Sequence, residues 1–140
     1  MQQRLQSFLS IYYSIYIVGE VRSREAAELL QAVNVGNDGS LSTIHANSCK
    51  DMISRLETMV LMGIDLPVPV IRRQILSGFD IFIHLGRMRD KSRKVMEICE
   101  IDRMCDGEIL LNPLFVRKQK LEKTGELIHR EKLGKAGISL

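Results

Sequence analysis

The spacing of hydrophobic positions changes repeatedly along the chain, and each change marks a new element. From Ile11 to Val18 they are almost continuous and rich in Ile, Tyr and Val, as in a central strand covered on both faces. Ala26, Ala27, Leu30 and Val33 then take helical spacing, which predicts a helix capped by Ser23, carrying Glu25 at its positive end and stopped by Gly36. Asn37-Asp38-Gly39 reads as a turn into a short strand, Leu41 to Ile44. Ser48 with Asp51 three residues on has capping-box spacing and opens a second helix, with Met52, Ile53, Leu56, Met59, Val60 and Gly63 along one face. Pro67 and Pro69 start a third, with Val68, Ile71, Ile75 and Phe79 at helical spacing. A short helix suits residues 1–10, where Leu5 and Leu9 share a face.

From Ile81 alternation replaces the helical period. Ile81 to Leu85 reads as a strand, Arg89-Asp90-Lys91-Ser92 as a turn, and Lys94 to Met104 as the returning partner. Cys105-Asp106-Gly107 turns into Glu108 to Asn112, because Asp-Gly between apolar runs is a hairpin signal. The second half is therefore expected to be an antiparallel extension of the sheet. In residues 117–140 the apolar positions Leu121, Leu127, Ile128 and Leu133 are too sparse to choose between helix and hairpin, and this stretch is expected to be peripheral.

Composition adds bounds. The chain has 140 residues, 45% hydrophobic and 26% charged, which is one folded domain or part of one. The run Phe8 to Val18 is shorter than the roughly 20 residues a bilayer demands. No small-residue cleavage site follows it, so a cytosolic location is expected. Cys49, Cys99 and Cys105 are odd in number and lack metal-ligand spacing, which argues against a disulfide framework or a zinc site. A net charge of +3, with basic residues spread until Arg117-Lys118-Gln119-Lys120, argues against nucleic acid as the partner.

Two polar side chains end predicted strands. Glu20 follows an apolar strand and Gly19, and His45 follows Leu41 to Ile44; both fall at the carboxyl edge of a sheet, where α/β folds place their ligands. Taken alone, Glu20 reads equally as a ligand-facing carboxylate or as a salt-bridged strand end, and His45 as a hydrogen-bonded structural histidine. Arg22 and Arg55 suit either phosphate or pairing with Glu20, Glu25 or Glu57. Met52, Met59 and Met62 are expected in the core, His84 packed in a strand and His129 exposed.

Gly19-Glu20-Val21-Arg22 followed by Gly39-Ser40-Leu41-Ser42-Thr43-Ile44-His45-Ala46-Asn47-Ser48 resembles the Walker B segment and histidine box of the secretion-superfamily traffic ATPases, with the type II/IV secretion and tight-adherence pilus branch the nearest in pattern. The likeness runs through Arg55-Leu56-Glu57-Thr58-Met59-Val60-Leu61-Met62 to Asn112-Pro113-Leu114-Phe115. The stretch Ile11-Tyr12-Tyr13-Ser14 and residue Asn37 depart from the family pattern. The resemblance implies α/β architecture, a partial RecA-like P-loop NTPase core over residues 1–116, followed by a basic tail at 117–140. It implies ATP and magnesium as cofactors of the complete protein, Glu20 and His45 as catalytic residues, Glu20 acting near magnesium, and Gly19, Arg22 and Thr43 at the nucleotide. It also implies a hexameric ring against an inner-membrane platform protein on the cytoplasmic side. A glycine-rich loop of the form Gly-x-x-x-x-Gly-Lys-Ser/Thr does not occur; the only Gly-Lys is Gly134-Lys135, followed by Ala136. The chain is accordingly expected to be the C-terminal portion of a motor and inactive alone, or else a non-catalytic module that binds a motor.

Overall fold

Ser48 begins the longest helix as its spacing predicts. A computed structural model describes residues 17–35 and 39–131, and in it Ser48 Oγ accepts from the backbone N–H of Asp51 at 2.9 Å, opening helix α2 (Cys49–Gly63). The Asp51 carboxylate closes the motif one residue early, accepting from the backbone and side-chain nitrogens of Asn47 at 2.9 and 3.2 Å. Helix α1 (Glu25–Asn34) starts differently from expectation. Arg24 occupies the cap position and Ser23 makes no cap. Ser23 has φ 54, whereas a capping serine needs extended backbone. Helix α3 (Val68–Gly78) follows Pro67, and Pro69 sits in its first turn, where a missing N–H costs nothing.

Strand β1 (Ile17–Val18) pairs in parallel with β2 (Leu41–Ser42), Ile17 opposite Leu41, and Val21 N–H donates to the Thr43 carbonyl at 3.0 Å just beyond. Parallel neighbours need a crossover, and α1 supplies it. Strands β3 (Ile81–Arg87), β4 (Arg93–Cys105), β5 (Glu108–Arg117) and β6 (Leu121–Lys123) form an antiparallel sheet in that order. Asp106 at φ 49 and Gly107 at φ 79 make the two-residue β4–β5 turn, as the Asp-Gly pair predicts. β5 runs past its expected end at Asn112 because Pro113 lies opposite Cys99, where the β4 register shifts; a bulge is where a sheet tolerates proline. Among the described residues the two sheets share no ladder. Expectations for residues 1–16, Gly36, Asn37, Asp38 and the last nine residues lie outside the described part.

The core is a three-helix layer laid on the sheets. Leu30, Leu56, Val60, Ile71 and Ile75 are wholly buried, joined by Phe82 and Ile101 from the strands. Met52 and Met59 pack against this cluster as expected, but Met62 is 56% exposed, a correction to its core placement. It sits in the last turn of α2, where the packed stripe of Ile53, Leu56 and Val60 has rotated past it. His84 lies in β3 and is largely covered, while His129 is exposed.

Glu100 is the one buried charged residue among those described, at 3% exposure in β4. Its carboxylate accepts from the backbone N–H of Ile128 and of His129, both at 2.8 Å, and from the Asn112 amide at 2.9 Å. Burial opposes its ionisation, yet these donors outweigh it and hold its pKa below the usual 4.5. The carboxylate thereby draws residues 128–129 onto the sheet. A depressed folded-state pKa contributes stability that is complete above the unfolded value and lost as pH falls through the folded one. Glu100→Ala is therefore expected to lower stability by about 3 kcal/mol at neutral pH, with the deficit shrinking below pH 4.5 in urea melts across pH. A pH-independent deficit contradicts this reading.

Candidate functional site

The parallel pairing of β1 and β2 sets the site, because it brings both strands to their carboxyl ends on the same side. Glu20 leaves β1 after Gly19, and His45 leaves β2 after Thr43 and Ile44. Glu20 Oε1 lies 2.8 Å from His45 Nε2, and Glu20 Oε2 accepts from Arg22 Nη2 at 2.6 Å. Thr43 Oγ1 donates to the Gly19 carbonyl, tying the two strand ends together beneath the carboxylate. All five residues singled out in the sequence, Gly19, Glu20, Arg22, Thr43 and His45, thus meet in one place.

Its electrostatics follow from the contacts. The Arg22 guanidinium holds the Glu20 carboxyl below the usual carboxylate range; partial burial works against this and His45 adds to it. Glu20 is therefore anionic at neutral pH. Its side chain is 30% exposed and that of His45 86%, so both reach solvent. A carboxylate so placed can orient a water and take its proton, and an imidazole can donate to an anionic oxygen. The sequence left two readings of Glu20, and the ion pair with Arg22 satisfies one without closing the other, since Oε1 remains on the solvent side with His45.

The site opens into a groove of about 840 Å³ between the two sheets, walled by residues 39–46 on one side and 81–87 on the other. Among the described residues β2 and β3 are both edge strands there. Leu41, Ile81, Ile83 and Leu85 are exposed along it, while Ser42 Oγ is buried in its wall with no hydrogen-bond partner among the described residues.

Two sets of residues were not legible as partners. Arg72 donates to Glu57 Oε1 at 2.6 Å, to Glu108 Oε1 at 2.7 Å and to the Gly107 carbonyl at 2.6 Å, pinning α3 to α2 and to the β4–β5 turn; Glu57 is thus paired with Arg72 rather than Arg55. Cys49 and Cys99, placed far apart in sequence, meet beside Glu97. Both meetings are tertiary, so no local spacing announces them.

Comparison with known proteins agrees with the family that the sequence resembles. The family described as Type II/IV secretion system protein matches residues 1–107. A putative conjugal transfer protein of Mycobacterium tuberculosis is 31% identical over 93 residues, covering 66% of this chain and 26% of that protein. The type IV secretion system protein VirB11 of Brucella suis is 32% identical over 84 residues, 58% of this chain and 23% of that one. In structure, the VirB11 ATPase of the Brucella suis type IV secretion system, crystallised with sulphate, superposes with a TM-score of 0.64 at 29% identity, over 70% of this chain and 31% of that one. The chain spans about a quarter of the length of these curated relatives. With the family matched over most of its residues, and the α/β fold matched by a solved structure, the chain belongs to the type II/IV secretion traffic ATPases.

Proposed function

We propose that this chain carries the hydrolytic half of a nucleotide site in a motor for pilus assembly or type II/IV secretion, whose phosphate cradle comes from polypeptide outside these 140 residues. The observation that carries the reading is the 2.8 Å approach of Glu20 to His45 at the shared carboxyl edge of β1 and β2. Glu20 corresponds to the Walker B carboxylate and His45 to the histidine-box imidazole.

The residues present fit ATP and magnesium in part. An anionic, solvent-reaching carboxylate suits a metal-bound or attacking water, the exposed Arg22 and His45 offer donors to phosphate oxygens, and Gly19 leaves open space, with nothing within 4 Å of a Cβ built there. When bound, magnesium neutralises charge developing on the phosphoryl oxygens. This chain's contribution is to hold the water for in-line attack through Glu20 and to place the His45 imidazole where a terminal phosphate would be sensed, with Thr43 and Gly19 fixing the strand ends. The edges of β2 and β3 that no described strand pairs, with apolar Leu41, Ile81, Ile83 and Leu85 between them, suit an added strand from that portion. In the assembled motor we place the chain in a hexameric ring, as the resemblance implies, at the cytoplasmic face of an inner-membrane platform; no helix among the described residues is long and apolar enough to cross a membrane.

The test is reconstitution. The chain alone is expected to show no magnesium-dependent ATP hydrolysis above background, and co-expression with a polypeptide bearing Gly-x-x-x-x-Gly-Lys-Ser/Thr from the same system is expected to restore it. Turnover by the isolated chain, or tight association that never yields turnover, contradicts the proposal; the latter favours a non-catalytic module that binds a motor.

A further inference from the structure

Cys49, Glu97 and Cys99 form a cluster that the nucleotide site does not use. One sulfur from each cysteine and a carboxylate oxygen of Glu97 all lie within 4.8 Å of one another. Both thiols are buried, and Cys49 is the first residue of α2. Glu97 Oε1 accepts from the Cys49 backbone N–H at 2.6 Å, while its Oε2 lies 3.9 Å from the Cys99 sulfur. His84 comes in from β3, with Nδ1 3.9 Å from Glu97 Oε1, and is the only ion-pair partner of Glu97 among the described residues. Three donors from α2 and β4, two thiols and a carboxylate, therefore converge at one place, with the His84 imidazole of β3 beside the carboxylate.

That donor set has a chemical preference. Thiolates select soft or borderline ions, and zinc takes sulfur at about 2.3 Å and nitrogen or oxygen at about 2.0–2.2 Å in a tetrahedron. Those bond lengths put neighbouring donors roughly 3.3–3.8 Å apart, so a separation within 4.8 Å closes by rotamer adjustment. We propose that Cys49, Cys99 and Glu97 bind one thiophilic divalent cation, with zinc as the representative ion, water as its fourth ligand and His84 beside the Glu97 carboxylate. Two S–H bonds break, two metal–sulfur bonds form, and both protons go to solvent; nothing is oxidised. Glu97 ligates through Oε2 while Oε1 keeps its bond to the Cys49 N–H, an outer contact that fixes the ligand's orientation. The positive end of α2 offsets the net negative charge of two thiolates and a carboxylate around a divalent ion.

The site's consequence is mechanical. It staples the first turn of α2, and with it the His45-Ala46-Asn47 segment that runs into that turn, to the β3–β4 hairpin. It stands independently of the nucleotide reading.

The test uses the 140-residue chain, reduced and stripped with a chelator, then titrated with zinc against a competing chelator and separately with cobalt(II). The expected result is one equivalent bound, a cobalt spectrum with thiolate charge-transfer absorption and tetrahedral bands, and a raised Tm. Cys49→Ser and Cys99→Ser are each expected to weaken zinc on the order of a hundredfold, while Cys105→Ser, outside the cluster, leaves affinity unchanged. Should the serine variants not fold, the cobalt spectrum of the unaltered chain and of Cys105→Ser still decides. Substoichiometric zinc, a cobalt spectrum without sulfur ligation, or ready closure of a Cys49–Cys99 disulfide that zinc does not prevent overturns the site.

Discussion

Glu20→Gln in the reconstituted motor is expected to lower kcat for ATP hydrolysis by about 10²- to 10⁴-fold, the range that a positioned general base contributes. The substitution keeps the shape of the side chain and removes its charge. Since the carboxylate is held ionised by Arg22 at neutral pH, the loss is one of proton acceptance and water orientation, and nucleotide affinity should change far less than turnover. Circular dichroism of the variant should match that of the parent, because the side chain stands at a solvent-reaching edge rather than in the core. Arg22→Ala separates the two readings of the ion pair. If Arg22 serves only to pair Glu20, its removal raises the carboxylate pKa and moves the acid limb of the pH–rate profile to higher pH. If it also meets phosphate, KM for ATP rises as well. Equal turnover by Glu20→Gln and parent rejects the Walker B assignment.

The second large effect is on stability. Leu56 is wholly buried at the centre of α2, packed in the cluster that joins α1, α2 and α3. Leu56→Ala removes apolar surface and leaves a cavity, which together cost about 2–5 kcal/mol. Domains of this size are stable by only about 5–15 kcal/mol, so a large share of the total is at stake. The expected observation is a marked fall in the urea midpoint with little change in m. A loss below about 1 kcal/mol places Leu56 outside the core and contradicts the helical layer.

Those two side chains were legible from the sequence for different reasons. Leu56 belongs to a helical stripe with Ile53 and Val60, and burial of such a stripe is a local consequence of period. Glu20 was legible because a carboxylate after an apolar strand and a glycine is costly without a partner, and because the second motif supplied His45 at a spacing a strand–helix–strand unit can close. The start of α2 at Ser48, that of α3 after Pro67 and the hairpin turn at Asp106-Gly107 follow from capping, proline and turn chemistry in the same way.

What sequence reasoning missed depends on tertiary approach. Glu100 sits in an alternating strand where a charged residue suggests an exposed position; its burial depends on donors from Ile128 and His129, far along the chain. The convergence of Cys49, Glu97 and Cys99 arises because α2 begins against the β3–β4 hairpin, which no spacing within either segment encodes. Ser23 has the right residue type for a cap and the wrong backbone for one. Pro113 looks like a strand end until the bulge opposite it is known. In each case local propensity gave a sound prior and a long-range contact decided the outcome.

The most direct measurement of the nucleotide reading is a histidine-selective NMR spectrum of the reconstituted motor, with and without magnesium and a slowly hydrolysed ATP analogue. The chain has three histidines, and one of them, His45, hydrogen-bonds to Glu20 in the site. The His45 ring resonances are expected to move on nucleotide addition, while those of His129, bonded to the Asp102 carbonyl of β4 outside the site, stay in place. Ring signals of His45 that are indifferent to saturating nucleotide in a catalytically competent assembly contradict the nucleotide reading.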